Sequence, residues 1–277
     1  MKKMIKLALV MTLGFGMSNL AQAITIDGTL SDWGLNTTWT PSNNANGNGS
    51  YTYGAYKIYY SVEDYTKLDS GQVWPGYGGQ AYDAEALYVT WDAANLYIAL
   101  VTGHNPATAQ KPAANSYGAG DFALNFWSGS NDSSYEFGIK NTKTIGSSSA
   151  SVYKTTNANW KTDPLWGTGK VTSLKDTPNT GTLKGTADLS IKVGPNNMGS
   201  NANRWIYELS VDRSLFSGLD DPKSKLNVSW TMNCANDVIE SDPTSPTPVP
   251  EPATLALLGL SLPAVAWRRR QQARRQK

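Results

Sequence analysis

Residues 85–91 read EALYVTW and residues 95–102 read NLYIALVT, with Asp92-Ala93-Ala94 between them. Successive side chains on a strand point to opposite faces, so Leu87, Val89 and Trp91 share one side of the first run. In the second run Leu96, Ile98 and Leu100 share a side, and Tyr97, Ala99 and Val101 occupy the other. Two such runs across a short connection predict an antiparallel hairpin. The second arm is apolar on both faces, which predicts a strand covered from both sides. These eighteen positions decide the fold class: the domain is built from strands, and its core is thick.

Working outward, further strands are predicted at 55–62, 121–127, 134–140, 150–154, 185–193, 204–211 and 226–232. Residues 40–54 are rich in Asn, Gly, Ser and Tyr and read as a long loop, and residues 71–80 read as a Gly-rich loop carrying two aromatics. Residues 212–219 predict one helical turn capped by Asp212. No other segment sustains a 3.6-residue apolar period, and no repeat of fixed length recurs. The reading is an all-β domain, an antiparallel β-sandwich of the jelly-roll type. Cys234 is the single cysteine, so no intramolecular disulfide forms and stability must come from the core. With one histidine, His104, a zinc site of several His and Cys ligands is excluded by count. No Gly-x-Ser-x-Gly elbow and no Walker-type loop is present.

The two ends differ from the body. Met1-Lys2-Lys3-Met4-Ile5-Lys6 is a basic start, residues 7–17 are apolar, and Ala21-Gln22-Ala23 is a small-residue cleavage site. This predicts export through the Sec machinery, cleavage after Ala23 and a mature chain that starts at Ile24. At the other end, Pro-, Ser- and Thr-rich residues 241–249 read as a linker. Pro250, Glu251 and Pro252 follow, then fifteen uncharged residues, then Arg268-Arg269-Arg270. As a helix those fifteen span roughly 22 Å against a hydrocarbon core of about 30 Å. The basic end would hold on the cytoplasmic side of the inner membrane. The order of linker, Pro-Glu-Pro, brief span and basic stop resembles the PEP-CTERM sorting signal. That resemblance implies a Gram-negative bacterium, a transient anchor through a short transmembrane sorting helix, and exosortase as processing partner. The chain therefore divides into a leader (1–23), a β domain (24–240), a linker (241–249) and a sorting tail (250–277).

Processing reverses the sign of the charge. The full chain has 24 basic and 22 acidic residues. The leader carries three of the basic ones and the tail six, together with one acidic residue. Residues 24–250 keep 15 basic and 21 acidic side chains. An acidic exported body has no footprint for nucleic acid.

Within the body, Ile26-Asp27-Gly28 with Asp32-Trp33 resembles the opening of the carbohydrate-binding family 9 and DOMON-like sandwiches. Asn95-Leu96-Tyr97-Ile98 is similar to their central strand, and Tyr207-Glu208-Leu209 to a late one. Residues 230–237 look like the terminal strand of related exosortase-sorted surface proteins. The resemblance implies a sandwich whose relatives bind sugars or haem, and fold by itself does not choose among these.

Sugars present apolar C–H faces and hydroxyl edges, so their sites combine flat aromatic rings with polar neighbours. Trp74 and Tyr77 lie in one Gly-rich loop, and Trp160 and Trp166 flank Lys161-Thr162-Asp163-Pro164 in another. These four are the candidate polysaccharide platform. Trp33, Trp91, Trp127, Trp205 and Trp230 fall on strand-like or motif positions and are expected in the core. Asp83, Glu85, Asp121 and Asp237 are candidate ligands of a structural calcium, with Asn236 and Glu240 beside them. Haem would have to use His104 with Met198 or Met232, but His104 reads as an exposed turn residue. The pair Asp83/Glu85 could serve glycoside hydrolysis; scattered threonines do not make an ice-binding ladder. The expectation is a non-enzymatic envelope or matrix protein that binds polysaccharide. A structural matrix protein without a ligand is the alternative, and a glycosidase the third reading.

Overall fold

The hairpin of residues 84–102 forms as predicted and sits at the centre of the sheet. The computed structural model describes residues 23–35, 47–63, 79–127, 134–163, 165, 169–194, 204–216 and 225–243. The leader, the linker and the sorting tail lie outside the described residues, apart from Ala23 and residues 241–243. In chain order the strands are β1 (Gly47–Tyr53), β2 (Tyr56–Val62), β3 (Ala84–Trp91), β4 (Asn95–Thr102), β5 (Phe122–Trp127), β6 (Phe137–Lys140) and β7 (Ser149–Lys154). They continue with β8 (Trp160–Thr162), β9 (Val171–Leu174), β10 (Thr182–Val193), β11 (Trp205–Asp212), β12 (Lys225–Thr231) and β13 (Val238–Ser241). The helical segments among the described residues are single 3-10 turns.

Eleven strands make one antiparallel sheet in the order β1-β2-β3-β4-β11-β10-β7-β6-β5-β12-β13, and β8 and β9 form a separate hairpin. Strand β13 packs against β3 and β2, so the sheet curls until its ends nearly close it as a barrel. At the seam the Asp237 carboxylate accepts from the Ala84 backbone N–H at 2.6 Å. The expected two-sheet jelly roll is therefore replaced by one continuous, coiled sheet. The reason is that strands twist, and a sheet this wide curls on itself; alternating sequence looks the same in a sandwich and a barrel.

Three layers of packing follow from the alternation. Leu87, Val89, Leu96, Ile98 and Leu100 point inward with Tyr207, Leu209 and Trp230 into the barrel core. Their neighbours Ala86, Tyr88, Tyr97, Ala99 and Val101 point outward, where Ile24, Leu30, Trp33 and Leu35 cover them. This confirms the double coverage expected for β4. On the other side, Trp160 and Leu174 of the β8–β9 hairpin cover Ala123 of β5. Trp33, Trp91, Trp205 and Trp230 are buried as expected, and Trp127 is half-buried.

One side chain holds the outer layer. Glu208 of β11 lies between the inward Tyr207 and Leu209, so it faces out. Its carboxylate accepts from the backbone N–H groups of Asp27, at 3.0 Å, and Gly28. It also accepts from the Trp33 indole at 2.7 Å. Gly28 stands at φ +78°, a left-handed turn that suits glycine. The Asp-Gly and Asp-Trp pairs at residues 27–33 and the Tyr-Glu pair 180 residues later are thus two halves of one clasp. Burial raises the Glu208 pKa to about 7, against the pull of its Trp33 and Gly28 donors.

Some expectations fail. Residues 47–53, read as loop, form β1, because an edge strand lined with Gly, Asn, Ser and Tyr needs only backbone pairing to β2. Strands β8, β9 and β13 were not anticipated, being short and without clear alternation. The turn after β11 forms over Arg213–Leu215, with the Asp212 carboxylate accepting from Ser214 N–H at 2.8 Å.

Candidate functional site

A cleft of about 230 Å³ opens beside the β8–β9 hairpin. Its walls come from separate parts of the chain. Gln110 precedes a small loop closed by the Lys111–Ser116 bridge. Tyr117 leaves that loop with its ring largely in the barrel core. Lys161 and Thr162 belong to β8, Thr172 and Ser173 to β9, and Asn233 follows β12. Leu165, an exposed apolar side chain, completes the rim.

Hydrogen bonding fixes how the two wall amides point. The backbone N–H of Gly118 donates to Gln110 at 2.8 Å, and a backbone N–H can only donate, so the acceptor is Oε1. The same oxygen therefore receives its second bond, at 3.0 Å, from Asn233 Nδ2. That leaves Asn233 Oδ1 buried with no partner. An unmet acceptor in a buried position is costly, and each such atom needs an explanation. Asn233 is itself anchored, since its N–H donates to Gly118 O at 2.9 Å. Lys161, the charged side chain among the described lining residues, pairs with Asp176 at 3.3 Å in an exposed ion pair. No carboxylate is among the described lining residues.

The candidates from sequence fall as follows. Trp74, Tyr77 and Trp166 lie outside the described residues, as do Pro250, Glu251 and Pro252. Trp160 is only 2 % exposed and cannot present a ring face to a ligand. Its indole donates to Thr155 Oγ1 at 3.2 Å, its ring lies 6.0 Å from that of Tyr135, and it packs on Gly138, where an added Cβ would come within 2.9 Å. The expected loop tryptophan is therefore a wedge in the outer core. Ala23 is exposed while Ile24 is buried.

Of the calcium candidates, Asp83 and Asp237 meet at the seam, whereas Glu85 and Asp121 have other partners. Among the described residues no group of three or more His, Cys, Asp or Glu is placed to hold a metal ion. Asp121 accepts from the N–H groups of Asn141, at 2.7 Å, and Leu174, at 2.8 Å, tying β9 to the barrel. Burial raises its pKa. Glu85 is a buried partner of Arg204 and also accepts from Gln80. Asp237 lies beside Glu63 and Asp83 at the seam; burial, with the Asp237 charge, raises the Glu63 carboxyl to about 9, and burial, with the Asp83 charge, raises that of Asp237 to about 7. Asp83 and Glu85 thus have different partners. Asn236 is buried and Glu240 pairs with Lys170 at 2.6 Å.

His104 is also corrected. It is 1 % exposed, with Nδ1 at 2.9 Å from Ala81 O and its ring 5.3 Å from that of Tyr82. Burial lowers its pKa to about 4, so it is a neutral core residue at pH 7. Met232 is in the barrel core, and Met198 lies outside the described residues.

Gln110, Tyr117 and Asn233 were missed by sequence reasoning. Gln110 and Asn233 are 123 residues apart, and nothing local to either announces the bond between them.

With the fold and cleft described, the chain is an all-β protein with a wide, nearly closed antiparallel sheet. The family model for the PEP-CTERM protein-sorting motif matches residues 248–270. That motif marks an exported bacterial protein, processed by exosortase, anchored in the membrane and then presented at the surface. Among the described residues no helix is long and apolar enough to cross a membrane. No curated protein and no solved structure matches the chain.

Proposed function

We propose that this chain is a non-enzymatic polysaccharide-binding domain. It leaves the cytoplasm through Sec, and exosortase delivers it to the envelope or extracellular matrix of a Gram-negative bacterium. The observation that carries the binding reading is the cleft beside the β8–β9 hairpin. Its wall mixes amides and hydroxyls with the Tyr117 ring and the exposed Leu165, a combination suited to a sugar's hydroxyl edges and apolar faces. Leu165 directly precedes Trp166, a candidate platform residue, in the chain. The described wall lacks the two carboxylates that glycoside hydrolysis uses, which favours retention over turnover.

A glycan array with the exported protein tests this reading. Binding to at least one polysaccharide is expected, weakened at least tenfold by Trp166→Ala, with the glycan recovered intact. If no glycan is held, the structural matrix role replaces this one. Shortened glycan products would instead make the protein a hydrolase.

A further inference from the structure

We infer that the lysine cluster around Asp176 docks an acidic polysaccharide, an inference that rests on the polysaccharide reading and names the class of glycan. Charge is segregated along the chain. Residues 137–193, from β6 to β10, hold eight of the 15 basic side chains of residues 24–250 but three of the 21 acidic ones. None of the eight lysines is buried. These strands are neighbours in space, since β10, β7 and β6 lie side by side in the sheet and the Trp160 ring of β8 packs on Gly138 of β6. A domain that is acidic as a whole therefore has a basic region, and such a region attracts polyanions.

Within that region three lysines converge on one exposed carboxylate. Lys140 Nζ lies 3.9 Å from Asp176 Oδ1, and Lys161 Nζ donates to Oδ2 at 3.3 Å. Lys143 adds its charge from the turn after β6, where it stands at φ +58° with its N–H donated to Asn141 Oδ1 at 3.0 Å. A hydrogen bond from Lys161 and the charges of Lys161, Lys140 and Lys143 hold the Asp176 carboxyl below its ordinary range. The neighbouring acids are engaged elsewhere. Asp163 accepts from Leu165 N–H at 2.8 Å, and buried Asp121 accepts from Asn141 and Leu174 N–H. Three cations thus share a single surface carboxylate. Exposed ion pairs of this kind are weak, so Asp176 is a replaceable partner. Its two oxygens, one toward each of two lysines, mark positions that an acidic group of a ligand can take. A polymer with an anion on every residue sums several weak contacts of this kind. Lys161 also lines the cleft, so a glycan held there runs within reach of the cluster.

The test titrates the exported protein with polygalacturonate, dextran sulfate and uncharged dextran. At low salt, an acidic polymer is expected to bind at least tenfold tighter than dextran. That advantage should fall at least tenfold between about 0.05 M and about 0.5 M salt, as screening shortens the reach of the lysines. The two acidic polymers distinguish carboxylate from sulfate as the group held. Replacing Lys140, Lys143 and Lys161 together by Gln should abolish the preference. The melting temperature should stay within a few degrees, because none of the three is buried. Asp176→Asn should act in the opposite direction and tighten the acidic polymer at least threefold, since it removes the built-in competitor. Lower melting with unchanged binding in Asp176→Asn would make the ion pairs structural and overturn the inference. Equal affinity for dextran, or binding indifferent to the triple replacement, overturns it too and leaves the polysaccharide reading standing. Tighter capture through the same lysines by phosphatidylglycerol vesicles or by double-stranded DNA assigns the cluster to another polyanion, and the inference falls. If no glycan on the array is held either, both readings fail.

Discussion

Glu208 shows how much one side chain can organise. Its carboxylate meets three N–H donors from residues 27, 28 and 33, and both Gly28 and Trp33 are buried. Removing the acceptor strands those donors in the protein interior, at about 1–3 kcal/mol for each unmet group. Glu208→Ala is therefore expected to lose at least about 2 kcal/mol in urea unfolding; a loss below about 0.5 kcal/mol would show that the clasp is ornamental. His104 makes a prediction with pH. Its folded pKa of about 4 lies below the ordinary histidine value of 6.5, so between these the unfolded chain binds the extra proton. Stability from neutral His104 is complete above pH 6.5 and is lost as the pH falls toward 4. Comparing melting at pH 7 and pH 5, His104→Gln should lose less on acidification than the wild type. An unchanged pH difference would remove His104 as the cause.

At the scale of elements, β8 and β9 act as a cover for the barrel, not as part of its wall. Trp160 is the wedge, and its truncation opens a space beneath the cover that Tyr135 and Gly138 cannot refill. Trp160→Ala should cost about 3–5 kcal/mol, the range for a buried large aromatic, measured from the shift of the urea midpoint. A loss under 1 kcal/mol would return Trp160 to the exposed platform that its loop-like surroundings suggested. The β3–β4 hairpin was legible in sequence because its alternation is strong and its partners are next to each other in the chain. The edge strand β1 was not, since Gly47 to Tyr53 is mostly exposed and has no apolar face to betray it. Strand β13 was hidden for a different reason. Its Val238 and Ile239 belong to the core only because β12 and β3 arrive from elsewhere.

The whole molecule is two charge regimes in one chain. Residues 24–250 have 15 basic and 21 acidic side chains, whereas the chain as translated carries a formal charge of +2. Removal of the leader and of the arginine-rich end would turn a weakly basic precursor into an acidic product. The processed protein should bind an anion exchanger at pH 7.5 and low salt, while a precursor that keeps both ends should pass through it. A form that loses the leader but keeps the tail has 21 basic and 22 acidic side chains, so weak retention of the surface form on the anion exchanger would mean that the tail is kept.

Destination and strand content were written in the sequence itself. Both rest on local features: a basic start before an apolar run, a Pro-Glu-Pro tail, and side chains that alternate every second residue. Closure of one sheet in place of two, the clasp around Glu208, the burial of Trp160 and His104, and the paired amides of Gln110 and Asn233 were decided by the tertiary structure. Each depends on residues far apart in the chain meeting in space, and a hydrogen bond between them is chosen by what the fold brings within about 3 Å, not by anything either residue shows to its neighbours.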